Sequence, residues 1–94
     1  MKIVFLAAWR PDTGPAAVEA FLAVAEKALA DGPFTACHHG RGLRLAQGGA
    51  RQADWGMILD IEPENVEKWR SSKAHEDLGR ALRPLCEEGM TLEF

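Results

Sequence analysis

The sequence predicts an α+β fold in which one antiparallel sheet carries helices on a single face, within one domain spanning residues 1–94. Three observations carry that expectation. Strand-like and helical patterns follow one another in the order β-α-β-β-α-β. The first strand-like segment is apolar on both of its faces, and the helical segments are apolar on one side only.

Residues 3–9 read Ile-Val-Phe-Leu-Ala-Ala-Trp, which suits a strand buried on both faces. Arg10-Pro11-Asp12-Thr13-Gly14-Pro15 ends it, and Thr13 is the expected cap of a helix with Pro15 just inside. Val18, Phe21, Leu22, Ala25 and Leu29 recur at intervals of three and four and give that helix its apolar stripe. Gly32-Pro33 stops it, glycine being read as the left-handed residue and proline as one that cannot continue a helix. Phe34 to Gly40 forms the second strand, and Arg41 to Gln52, with Gly42, Gly48 and Gly49, a long flexible hairpin connection.

The third strand, Ala53 to Ile61, alternates cleanly. Trp55, Met57, Leu59 and Ile61 share one face, and Asp54, Gly56, Ile58 and Asp60 the other. Pro63 opens a short helix carrying Val66 and Trp69. Ser71-Ser72 interrupts it, Ser72 caps a second helix, and Pro84 weakens the end of that helix. Met90 to Phe94, after Gly89, is the closing strand. The whole order is the ferredoxin-like β-α-β-β-α-β arrangement with its second helix split. Nothing in the chain covers the sheet face away from the helices, so a second copy is expected there, two sheets packing into a dimeric α+β barrel.

A chain of 94 residues buries only roughly 60–65% of the surface of its unfolded state, which also favours a homodimer. Eleven Lys and Arg against 14 Asp and Glu give a net charge of −3 without a basic stripe, which argues against nucleic acid as a partner. No stretch reaches the ~18–20 apolar residues of a membrane span. The apolar start is followed at once by Arg10-Pro11-Asp12 with no cleavage site, so it reads as a strand rather than a leader. Cys37 and Cys86 lack metal or redox spacing, and reduced thiols in the cytoplasm are the expectation.

Several features resemble the stress-responsive α/β-barrel (Dabb) family. They are the apolar first strand with its Arg10-Pro11-Asp12 exit, Gly40, Ala53-Asp54-Trp55-Gly56, Leu82-Arg83-Pro84 and the ending Leu92-Glu93-Phe94. Trp69-Arg70-Ser71-Ser72-Lys73-Ala74-His75 carries the most, being similar to the family's tyrosine, two variable residues, His-Pro, a small residue and His. The resemblance implies a dimeric barrel with a pocket between sheet and helices. It also implies cofactor-independent chemistry on a carbonyl-rich, polyketide-like substrate, since a plant polyketide cyclase of the family uses the last histidine, with the tyrosine, for aldol cyclisation. His75 matches that histidine. Trp69 stands for the tyrosine, Ser72 for the earlier histidine and Lys73 for the proline, and with no tyrosine in the chain a phenol donor does not carry over.

His75 shares a helix face with Leu78 and Leu82, so its ring points inward in the first turn of its helix. There the helix dipole disfavours the imidazolium, leaving a neutral base for general acid–base catalysis. The alternative is a core or capping histidine bonded to backbone. Trp69 is a candidate flat wall for a small apolar or aromatic carbonyl-containing ligand, against the plainer reading of core packing. On one continuous helix Trp69 and His75 would stand about 120° apart, so a shared pocket requires the break at Ser71-Ser72. His39, Asp54 and Trp9 are further candidates to line the pocket. Asp54 or Asp60 could pair with Arg10, Arg41 or Arg44, and Trp9 also suits packing or subunit contact.

Cys37-His38-His39 is not expected to bind metal, because strand neighbours point to opposite faces and only Cys37 and His39 share one. No phosphate loop or nucleophile elbow is present. Three functions fit these residues. They are a cofactor-free cyclase, isomerase or lyase, a non-catalytic dimeric ligand-binding or stress-response protein, and a cofactorless monooxygenase by analogy of fold.

Overall fold

A computed structural model describes residues 1–42 and 53–94. Of the expected hairpin connection, Arg41 ends a strand and Gly42 takes a positive φ of 70°. The rest of that connection, with Arg44, lies outside the described residues.

β1 (Lys2–Trp9) is an inner strand of a four-stranded sheet ordered β2-β3-β1-β4, with β2 at Phe34–Arg41, β3 at Trp55–Ile61 and β4 at Cys86–Glu93. Every neighbouring pair is antiparallel. A central strand must satisfy two neighbours and two layers, which is what the uninterrupted apolar run from Ile3 to Trp9 provides. α1 (Pro15–Ala30) and α3 (Lys73–Leu82) pack side by side, and the short α2 (Val66–Arg70) follows a single 3₁₀ turn at Pro63–Asn65.

One face of the sheet holds the core. Trp55, Leu59 and Ile61 are fully buried there against Phe21, Ala25 and Leu29 of α1, Val66 and Trp69 of α2, and Leu78 of α3. The Phe21 ring stands edge-on to Trp55 at 5.0 Å and to Trp9 at 5.3 Å, an arrangement that aligns ring edges with ring faces. The Trp55 indole N–H is sealed from solvent and meets no acceptor among the described residues.

The opposite face has no covering layer among the described residues. Register places Val4 opposite Leu92 and Ile58, and Leu6 opposite Met90, all on this side. Met90, Leu92 and Phe94 are 50, 52 and 73% exposed. Lys2 and Asp60, paired at 3.5 Å, mark the charged edge of the patch.

Three local expectations are corrected. Thr13 does not cap α1: Gly14 holds that position without a side-chain bond, and Thr13 belongs to a turn closed by its N–H to the Arg10 carbonyl at 3.0 Å. Gly32 is required for space rather than for left-handed backbone, since a Cβ there would sit 1.9 Å from the Phe34 ring. Gly89 does not precede the last strand but lies inside it, opposite Ala7, where a Cβ would come within 3.1 Å of the Phe5 ring.

Candidate active site

The break between α2 and α3 builds the site. Ser71 Oγ donates to the Glu67 carbonyl at 2.8 Å, and Ser72 Oγ donates to the Trp69 carbonyl at 2.6 Å. The same Ser72 oxygen accepts the His75 backbone N–H at 3.1 Å as the N-cap of α3. One hydroxyl therefore ties the last turn of α2 to the first turn of α3. The chain turns within two residues, and the rings of Trp69 and His75 meet edge to face, centroids 5.2 Å apart at 90°. Phe34 buttresses the far side of Trp69 at 4.9 Å.

The His75 ring faces a cleft of about 260 Å³ between α3 and the sheet. Ile3 and Phe5 of β1, Met57 of β3 and Leu78 and Leu82 of α3 supply its apolar walls, with Trp69 beside the histidine. Polar groups come from Thr91 and Glu93 of β4 and from Arg70, whose guanidinium is ion-paired with Glu93. Its volume is just under the usual ~300–1,000 Å³ of small-molecule sites. A polar recess of about 300 Å³, bounded by Ser71, Ser72, Glu76 and Arg83, adjoins it and shares Arg70, His75 and Gly79.

Burial holds the His75 pKa below its ordinary 6.5, and the Arg70 charge lowers it further. Both favour neutral imidazole at pH 7. Desolvation and a cation from the neighbouring helix thus join the helix-dipole effect expected at this position. Trp55 contributes to the wall, but its indole N–H is closed off and cannot meet a ligand where it stands.

The other candidates lie elsewhere. Asp54 accepts the Trp9 backbone N–H through Oδ2 at 2.7 Å while its own N–H donates to the Ala7 carbonyl, so it ties the ends of β1 and β3 together. Trp9 packs on Phe21 away from the cleft. His39 is exposed on β2, the edge strand, opposite Met57, in a shallow recess with His38 and Arg41. His38, opposite Ile58, points to the other face. Arg41 pairs with Glu19 rather than with an aspartate. Among the described residues no three His, Cys, Asp or Glu side chains converge as a metal site, and both cysteines are free. An open trough between α1 and α3, bounded by Val24, Lys27, Ala74 and Arg80, is larger, but holds none of these candidates.

Sequence reasoning missed Arg70, Gly79, Arg83 and Glu93. Gly79 was within reach, since it lies four residues after His75 on the same helix face and costs a helix about 1 kcal/mol relative to alanine. Arg70 and Glu93 are separated by 23 residues and meet only in three dimensions.

No family model matches the sequence, and no curated protein matches it. Solved structures do. A dimeric ferredoxin-like protein of unknown function from Thermobifida fusca YX superposes with a TM-score of 0.82 at 17% identity, over 99% of this chain and 87% of that one. The fold is ferredoxin-like. A Dabb family protein from Mesorhizobium loti MAFF303099 shares it, with a TM-score of 0.77 at 12% identity over 99 and 92% of the two chains. So does the hydroxynitrile lyase from Passiflora edulis, at 0.78 and 11% identity over 99 and 89%. The presence of a Dabb protein among them agrees with the family resemblance read along the chain. At these identities the likeness is one of fold. No helix among the described residues is long and apolar enough to cross a membrane.

Proposed function

We propose that this protein is an acid–base enzyme acting on a compact carbonyl compound, with His75 as the residue that moves the proton. The observation that carries the reading is a half-buried imidazole, kept neutral by burial and by Arg70, facing a small apolar cleft. In the bond-forming direction His75 takes a proton from the carbon next to the carbonyl. The resulting enolate carbon adds to a second carbonyl carbon, whose π electrons pass to oxygen, and the imidazolium returns its proton to that alkoxide. In the lyase direction the imidazole takes the hydroxyl proton, the carbon–carbon bond breaks, and the departing carbanion receives the proton. A hydroxynitrile lyase among the structures of this fold supports the second direction.

Burial and the nearby cation make the imidazolium a stronger acid than in water, which speeds the return step. In this reading Trp69 supplies the flat wall, and Thr91 and Arg70, which line the cleft, are the donors to a developing oxyanion. A second copy of the chain covers the open sheet face in this reading, through Val4, Leu6, Met90 and Leu92.

The test is His75→Ala and His75→Gln in a screen of small aldol, retro-aldol and cyanohydrin substrates. Loss of roughly 10²–10⁴-fold in turnover with the fold intact is expected. Activity that survives in a folded His75→Ala makes the histidine structural and the protein a binding module.

A further inference from the structure

Among the described residues Gly79 is the one lining residue of the cleft without a side chain, and with Arg70 and His75 it borders both the apolar cleft and the polar recess. Among the described residues a Cβ built there would meet only the Arg83 guanidinium, 3.7 Å from Nη1 and 3.9 Å from Cζ. Alanine would therefore fit, yet the helix keeps its poorest former apart from proline. Arg83 ends α3 and its side chain folds back one turn to lie over this gap.

Charge bookkeeping around the mouth singles out the same residue. Of the two carboxylates at the rim, Glu93 is taken by Arg70 and Glu76 by Arg80. Among the described residues the Arg83 guanidinium meets no carboxylate, so the recess carries one uncommitted positive charge at pH 7. A guanidinium presents parallel donors that match a carboxylate two to two.

We infer that Arg83, over the gap left by Gly79, is an anion subsite at the cleft mouth, and that the substrate is a compact carboxylate held there with its remaining atoms directed toward His75. The inference rests on the acid–base reading for the orientation of the substrate, but the subsite is defined by binding alone. The carboxylate stays in the polar recess and the apolar part enters between Phe5, Met57 and Leu78. Arg80, one turn earlier and committed to Glu76, borders the outer trough and serves as the control.

The experiment is calorimetric titration of the whole protein with benzoate and with benzamide, which share a shape and differ in charge. Benzoate should bind at least about tenfold more tightly. Arg83→Gln should erase that preference, while Arg80→Gln and His75→Gln should each retain it. Gly79→Ala should weaken both probes severalfold while raising the melting temperature, since it fills the gap and improves the helix. Equal affinities for the two probes, no binding of either, or a preference that survives in Arg83→Gln overturns the subsite. Because His75→Gln is read by binding, a failed acid–base assignment appears as unchanged turnover with the charge preference intact.

Discussion

The two faces of the sheet are built from the same strands and have opposite fates. On the helix side Trp55 and Leu59 are completely buried; on the other, one residue along in β1's register, Val4 and Leu6 look across at Met90 and Leu92, which are half exposed. Strand alternation divides the apolar residues between the faces, but the helices among the described residues cover only one. The cleft lies on the covered face, with Leu78 and Leu82 of α3 and Thr91 and Glu93 of β4 in its lining. Burial there lowers the His75 pKa while a cleft of about 260 Å³ stays open beside the residue.

The sharpest way to break this contrast is to cut the same atoms from each face. Leu59→Ala, in the sealed layer, should cost about 2–5 kcal/mol in chemical denaturation, because the cavity it leaves cannot collapse. Leu92→Ala should cost the isolated chain far less. A comparable loss in both, at a concentration where the protein is monomeric, would mean that the open face is supported within the chain itself.

Charge on the open face tests what covers it. Leu92→Glu should convert a sedimenting dimer into a folded monomer at micromolar concentration, since a carboxylate would be buried in the apolar centre of the interface. An undisturbed dimer would place the subunit contact elsewhere, and a wild-type protein that sediments as a monomer would remove the need for one.

The smallest expected effect sharpens the covered side. Because the folded pKa of His75 lies below its ordinary 6.5, the unfolded chain takes up the proton first as pH falls. Stability contributed by the neutral ring is fully present above about pH 6.5 and declines below it until the folded form also titrates. His75→Gln should flatten this part of the melting-temperature profile. The kcat/KM of the wild type should fall on the same acid side, with its midpoint below 6.5. A profile unchanged by the substitution would show that His75 is solvated like a free imidazole.

Several features of the site were legible because they are local. Ser72 was recognisable as a cap, and the Ser71-Ser72 break was required before Trp69 and His75 could share a pocket; the structure makes that break and brings the rings to 5.2 Å. His39, Asp54 and Trp9 were drawn toward the site by residue type and by their positions on strands. Register sends them to an exposed edge, to a backbone tie and to the Phe21 ring. Gly32 and Gly89 were read as punctuation, although each makes room for a phenylalanine that sequence distance or strand pairing brings against it.

The sequence by itself determined the order of elements, the division of β3 into a core face and an outer face, the inward direction of His75 and the placing of the helices on one face of the sheet. These follow from the periods of strand and helix and from capping chemistry, which act over a few residues. Only the tertiary structure decided that Arg70 pairs with Glu93, that Asp54 serves the backbone, and that Arg83 lies across Gly79 with no carboxylate of its own among the described residues. Ion pairs and clefts depend on which side chains arrive within a few ångströms after packing. Local periodicity sets the face a residue occupies and leaves its partner undetermined.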